Sequence, residues 1–171
     1  LGDEPEAFDL SPDGKTIYVS NEDEGAASFI DVASGKKQQS VKIGKEPEGV
    51  KTSPDGKLVA YPQSGAPFVL DPPGRAVQGD RVPPDFRPLA FSPDGMLVAG
   101  RIASTTPSAL FVCWRETGDC WGLGGDSWPV WLRDSRRVLF SKDNEIWVAD
   151  TRERRSRPAV SKVSGDLHSR F

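Results

Sequence analysis

The tetrapeptide Ser11-Pro12-Asp13-Gly14 recurs as Ser53-Pro54-Asp55-Gly56 and again as Ser92-Pro93-Asp94-Gly95. Pro presets φ at the second turn position, Asp bonds the backbone beyond it, and Gly accepts a positive φ, so each copy predicts a tight turn. A degraded fourth copy, Leu132-Arg133-Asp134-Ser135, has lost its Pro and Gly. We therefore expect the fourth turn to be longer or looser than the other three.

The four turns recur at a regular interval. Asp13, Asp55, Asp94 and Asp134 are spaced by about 40 residues, a period typical of propeller blades. Apolar runs flank each turn, which predicts a hairpin, and further short runs supply a third and a fourth strand, the fourth being clearest at 39–43 and 159–163. No window keeps a helical period with caps. The sequence therefore predicts one all-β propeller domain of four four-stranded antiparallel blades, at about 3–44, 45–82, 83–124 and 125–165.

Composition narrows the class of function. The chain has 22 Lys plus Arg against 25 Asp plus Glu, a formal net charge of −3, which disfavours a nucleic-acid binder. No run approaches the length of about 18 apolar residues that a membrane span needs, so we expect no membrane insertion. The chain begins without Met, and we interpret it as a mature, trimmed or excised product.

Two repeat families resemble this sequence. Glu4-Pro5-Glu6, the first turn and Ile17-Tyr18-Val19-Ser20-Asn21, with their second copy from Ile43 to Lys57, resemble the YVTN-type repeat of bacterial and archaeal propellers. The second half, with Pro129-Val130-Trp131 and Ile146-Trp147-Val148-Ala149-Asp150, resembles the WD-repeat-like propeller of the periplasmic Tol system. These resemblances imply a periplasmic or secreted protein, and they are specific for architecture rather than for function.

The number of blades does not determine how the protein assembles. Four blades can close a small ring, whereas relatives of both repeat types usually carry six, seven or more. An open four-blade arc would expose an apolar face at each end, which favours pairing of two arcs into an eight-blade homodimer. The alternatives are a closed four-blade ring and a piece of a longer natural propeller.

The sequence has few of the residues that catalysis and metal binding require. His168 is the single histidine, so a haem or metal centre and a Ser–His–Asp site are disfavoured, and we expect no cofactor and no catalytic or metal-binding residue. The acidic run from Asn21 to Gly25 does not have calcium-loop spacing. We interpret it, and the basic run from Arg152 to Arg157, as solvated turns.

Cys113 and Cys120 flank a predicted hairpin loop at Arg115 to Gly118. Such a loop places the two cysteines opposite each other, at a separation that a disulfide accepts. A cross-strand disulfide in an oxidising compartment is the favoured hypothesis, and two buried free thiols are the alternative.

The candidate binding residues are few. Trp114 and Trp121 lie near the hairpin loop and form a candidate platform, although Trp at strand positions is more often packed between blades. Glu46 and Glu48, with Glu4 and Glu6, lie at the entrance to first strands, which line the channel of a propeller. We therefore expect a non-enzymatic scaffold that binds a protein partner or itself, in natural or engineered form. The alternative is the propeller domain of a periplasmic enzyme, lactonase-like or redox, whose ligands are absent here.

Overall fold

The computed structural model describes residues 3–62, 68–71, 75–76, 81–105, 109–125 and 128–160. Within these ranges the chain is all-β, with sixteen strands and no helix, as predicted. In the same ranges no helix long and apolar enough to cross a membrane is found.

Strands β1 to β8 form the first two sheets: β1 Pro5–Leu10, β2 Thr16–Asn21, β3 Ala26–Asp31, β4 Lys37–Lys42, β5 Pro47–Thr52, β6 Leu58–Pro62, β7 Phe68–Asp71 and β8 Arg75–Ala76. Strands β9 to β16 form the next two: β9 Phe86–Phe91, β10 Leu97–Ile102, β11 Leu110–Trp114, β12 Cys120–Gly122, β13 Val130–Trp131, β14 Arg137–Lys142, β15 Glu145–Asp150 and β16 Arg155–Val160.

Each sheet contains four antiparallel strands that pair in chain order, and we call the four sheets blades 1 to 4. The fourth strands lie earlier than the sequence predicts. β4 begins at Lys37 rather than Gln39, and β16 begins at Arg155, whereas the predicted strand at 159–163 runs past the described residues. Because these outer strands are mostly polar, backbone pairing with the third strand sets their bounds, and the apolar pattern does not reveal them.

The repeated turns are built as their residues predict. The Ser11 hydroxyl donates to Asp13 Oδ1 at 2.7 Å, and Asp13 Oδ1 accepts the Lys15 N–H at 3.1 Å. Gly14 takes a φ of 71°, a left-handed conformation that Gly adopts at no steric cost. Together these contacts lower the pKa of Asp13, the Ser11 hydrogen bond being the largest cause.

The fourth turn corrects the expectation of a longer or looser hairpin. Trp131 pairs with Val138, as Leu10 pairs with Ile17 in the first hairpin, so both loops have the same length. Ser135 occupies the Gly position with a φ of 55°. Asp134 supplies the compensation, because it accepts the N–H groups of residues 136 and 137 at 3.0 Å each and pairs with the Arg137 guanidinium at 2.6 Å.

The core lies mainly between consecutive blades. One cluster joins Tyr18 and Phe29 of blade 1 to Val50 of blade 2. Another joins blade 3 to blade 4 and is the largest described cluster; its buried members are Leu97, Ala99, Leu110, Val112, Leu123, Val138, Phe140 and Ala149. Residues 26–30 of β3 are all buried, so side chains on both faces of this strand are covered.

The first strands of consecutive blades contact one another in the order β1, β5, β9, β13. In a propeller these strands line the axis, so the described blades follow one another around it. Within the described residues the succession ends at blade 4, and the four sheets do not close into a ring.

Candidate interaction surfaces

The first strand of blade 1 presents two apolar side chains to solvent. Phe8 is 75% exposed and Leu10 is 48% exposed. Between them, Asp9 accepts the backbone N–H of Thr52 at 2.8 Å, so Asp9 points toward blade 2. Because successive side chains of a strand point to opposite faces, Phe8 points away from blade 2. Leu10, at the end of β1, borders a cavity that it shares with residues of blades 2 and 3. We call these two residues the head patch.

The repeat shows that this exposure is unusual. Val50 lies five residues before Asp55, as Phe8 lies five before Asp13, and Val50 is 1% exposed against Tyr18 and Phe29 of blade 1. The same repeat position is thus an inter-blade contact in blade 2 and an exposed surface in blade 1.

The exposure is confined to the first strand. Val19 pairs with Phe8 in the register, and Val19 and Ile30 on the same face are buried. The candidate surface is therefore the axial edge of the blade 1 face, not the whole face.

Blade 4 presents a second apolar surface. Trp128 is 68% exposed and Val130 is 59% exposed. Trp131, the next residue along β13, donates from Nε1 to the carbonyl oxygen of Ala90 in blade 3 at 3.1 Å. Val130 therefore points away from blade 3. We call Trp128 and Val130 the tail patch.

The sequence predicted apolar ends for an open arc but did not name the residues. The alternation of side chains along the first strand could identify them, but only after it is known which residues of that strand contact the neighbouring blade.

A shallow cavity of about 280 Å³ lies at the turn ends of three first strands. Its polar lining includes Asp9 and Lys51, whose Oδ2 and Nζ atoms are 4.0 Å apart, and Thr52, whose buried Oγ1 has no hydrogen-bond partner among the described residues. The apolar lining includes Leu10 and Phe91. The cavity is thus continuous with the head patch.

In the structure, Cys113 pairs with Cys120 across the β11–β12 hairpin, as the sequence predicts, and a disulfide joins them. Trp114 and Trp121, proposed as a platform, are half-buried and pack against the cluster between blades 3 and 4. Arg154 of blade 4 stacks over the Trp114 ring at 5.1 Å and pairs with Asp119 of the hairpin loop. In this arrangement the two Trp side chains join blades.

The four glutamates expected at the channel entrance have different environments. Glu48 pairs with Arg87 of blade 3 at 3.4 Å, so it bridges two blades. Glu4, Glu6 and Glu46 surround Glu22, and the hydrogen bond that protonated Glu22 donates to Glu6 is the largest of the effects that raise the pKa of Glu22. Like charges held close together disfavour ionisation.

Ligands for a metal do not converge in the described parts of the chain, where no group of three or more His, Cys, Asp or Glu could hold one. His168, the single histidine of the sequence, lies outside the described residues.

No protein-family model matches the chain, and no curated protein matches it significantly. Solved structures of other proteins do match the chain. A TolB protein from Agrobacterium tumefaciens has a TM-score of 0.70 at 20% identity, and the match covers 94% of this chain and 63% of that one. The β-propeller domain of Cps50 (Swd1) from Myceliophteria thermophila has a TM-score of 0.64 at 13% identity, covering 91% and 56%.

Hydrazine synthase from Kuenenia stuttgartiensis has a TM-score of 0.65 at 19% identity, covering 92% of this chain and 54% of that one. The chain thus has the β-propeller fold, and it spans between about half and two thirds of the length of these three neighbours. Likeness at this level of identity concerns the fold alone.

Proposed function

We propose that this chain is a non-enzymatic β-propeller module that binds protein through its head patch and its tail patch. The observation that carries the proposal is the contrast between Phe8 and Val50, which occupy one repeat position and are 75% and 1% exposed. Large apolar side chains grouped at strand positions that are elsewhere interior mark contact surfaces.

An extracytoplasmic location fits the same proposal. The Cys113–Cys120 disulfide is of a kind that persists in oxidising compartments. A TolB protein is among the structural neighbours. The periplasm or the extracellular medium is therefore where we place its partner.

Affinity capture with matched variants tests the binding role. The chain is immobilised and exposed to a periplasmic extract, beside Phe8→Asp in the head patch and Trp128→Asp in the tail patch. Met96→Asp is the control, because Met96 is 60% exposed, lies in the turn of blade 3 and belongs to neither patch. Circular dichroism verifies that each variant is folded.

The proposal expects a protein that the wild type and the Met96 variant capture and that at least one patch variant loses. Equal capture by all four chains, or no specific capture by any, contradicts it. The enzyme alternative is tested separately by metal analysis of the purified chain, in which a stoichiometric metal would overturn the non-enzymatic assignment.

A further inference from the structure

We propose that the turns at one end of blade 4 form a binding surface for an acidic segment of a partner protein. The surface, which we call the arginine surface, consists of Arg133, Arg137, Arg152 and Arg155. It goes beyond the proposed function, because it includes neither the head patch nor the tail patch. Turns at the end of a sheet stay at the surface of a protein when other sheets pack on the faces of that sheet.

The strand register brings two separate turns of blade 4 to the same end of the sheet. The β13–β14 turn carries Arg133, and the β15–β16 turn carries Arg152. Asp150, the last residue of β15, pairs in the register with Arg137 of β14 on one side and with Arg155 of β16 on the other. Neighbouring strands lie about 4.8 Å apart, so the four strand ends span about 14 Å.

Blade 4 differs from the other blades in the charge of these turns. Residues 132–137 and 150–155 contain six Arg and three Asp or Glu. The corresponding turns of blade 1 contain three Lys and two Asp, and those of blade 3 contain one Arg and three Asp or Glu, at residues 11–16 and 31–37 and at residues 92–97 and 114–120. The excess of positive charge is therefore a property of blade 4 and not of the repeat.

The carboxylates at the β15–β16 turn are already engaged. Glu153 and Asp150 both pair with Arg136, at 3.1 Å and 2.9 Å. The glutamate inside the basic run therefore does not neutralise its neighbours. Arg152 and Arg155 are exposed, and their side chains form no ion pair within the part of the chain that the structure describes.

The β13–β14 turn adds two more guanidinium groups. Arg133 is exposed and has no ion-pair partner among the described residues. Arg137 donates from Nε to Asp134 at 2.6 Å and remains half-exposed. This bond fixes the guanidinium plane and leaves the two terminal nitrogens directed away from Asp134. Because terminal guanidinium nitrogens can bind both oxygens of one carboxylate, Arg137 is oriented in advance for such a ligand.

The surrounding charges favour a narrow acidic segment over a flat anionic membrane. Asp13 and Asp31 lie at the corresponding turns of blade 1, and hydrogen bonds from Ser11 and Ser34 are the largest causes that lower their pKa. Both carboxylates are thus ionised at neutral pH, and they would repel a membrane plane laid across this end of the blades. The formal net charge of −3 likewise disfavours nucleic acid.

An extended protein segment fits the dimensions of the arginine surface. A strand-like segment rises about 3.3 Å per residue, so four or five residues cross the span of about 14 Å. Such a segment contacts blade 4 without meeting the turn carboxylates of blade 1. Recognition of acidic motifs by clustered arginines is an established mode of peptide binding.

The test measures binding of a fluorescein-labelled hexaglutamate peptide by fluorescence anisotropy, with hexaglutamine as the uncharged control peptide. Arg133→Gln combined with Arg152→Gln removes two charges from the arginine surface. Lys36→Gln combined with Lys37→Gln is the matched control, because it removes two charges from exposed positions at the corresponding end of blade 1. Circular dichroism verifies that both double variants are folded.

We expect the wild type to bind hexaglutamate and not hexaglutamine, with an affinity that falls as salt is added. The arginine double variant should raise the dissociation constant about tenfold, the effect of two lost ion pairs. The lysine double variant should change it less than about twofold, since the removed charges lie outside the surface.

Three results would overturn the inference. A wild type that does not bind hexaglutamate has no acidic-segment surface. An equal loss in the two double variants shows a general effect of net charge. Wild-type binding to phosphatidylglycerol vesicles that the arginine double variant abolishes shows a membrane surface instead. The affinity capture with the head-patch and tail-patch variants decides the proposed function separately from all three.

Discussion

Trp131 in the first strand of blade 4 donates its indole hydrogen bond to the carbonyl oxygen of Ala90 in the first strand of blade 3, with Nε1 and O 3.1 Å apart. Its ring also packs against the cluster between these blades. One side chain therefore supplies both polar and apolar contact at this junction.

Trp131→Phe keeps an aromatic ring and removes the donor. We expect a loss of about 1 kcal/mol in the free energy of unfolding, since the Ala90 carbonyl loses its partner. For a domain of this size the melting temperature should fall by about 2–4 °C. Trp128→Phe is the control, because Trp128 is exposed, and an equal loss in both variants would contradict the role of the hydrogen bond.

The Cys113–Cys120 disulfide closes a short loop, with a sequence separation of seven. On the chain-entropy model, Cys113→Ala combined with Cys120→Ala should lower the free energy of unfolding by about 2 kcal/mol, measured by chemical denaturation. Reductant should lower the wild-type free energy of unfolding by a similar amount and leave that of the double variant unchanged. If the wild-type free energy of unfolding does not change under full reduction, verified by thiol titration, the disulfide does not stabilise the fold.

Asp134 should contribute to acid sensitivity. The Arg137 N–H is the largest cause that lowers the pKa of Asp134 to about 2, followed by the Arg137 side chain and the Arg136 N–H. Because the pKa is lower in the folded than in the unfolded chain, the stabilisation is present above about pH 4 and is lost as pH falls toward 2. Stability of Asp134→Asn, followed by chemical unfolding at several pH values, should therefore fall less steeply over this window than that of the wild type. Parallel curves would contradict the prediction.

Glu22 affects the pH dependence of stability in the opposite direction, because its pKa is raised rather than lowered. Its pKa is raised by the hydrogen bond with Glu6, by burial, and by the charges of Glu6, Glu4 and Glu46. A raised pKa means that the favourable contribution exists below the unfolded value of 4.5 and is lost as pH rises through the folded value, so the cluster opposes folding at neutral pH. We expect Glu22→Gln to be more stable than the wild type at pH 7, with a difference that vanishes near pH 4.

Glu116→Gln is the matched control for Glu22, because Glu116 is an exposed residue of the β11–β12 turn. A stabilisation of equal size in both variants would indicate a general effect of net charge rather than this cluster.

Local chemistry explains why the hairpins could be predicted from the sequence. Ser11, Pro12, Asp13 and Gly14 determine their turn through contacts within six residues, and the cysteine pairing follows from one hairpin register. Ser135 was harder to predict, because its left-handed backbone is compensated by Asp134 and by Arg137, a residue outside the tetrapeptide.

The candidate surfaces depend on tertiary structure. Phe8 and Val50 are both apolar residues before the same turn, and the sequence does not distinguish the exposed one from the buried one. The difference arises from the blade that packs beside each, which is a property of position in the arc. For Trp114 and Trp121, contact with blade 4 likewise decides how much of each ring remains accessible.

The succession of first strands, each touching the next, has a consequence for how the molecule comes apart. Extensive strand contacts are made within a blade or between consecutive blades, so cooperativity is transmitted from neighbour to neighbour, as in a one-dimensional array. Strands with few buried contacts open first. Amides of β1, where Phe8 and Leu10 are exposed, should therefore exchange with deuterium before those of blade 3, which the disulfide and the largest core cluster hold together.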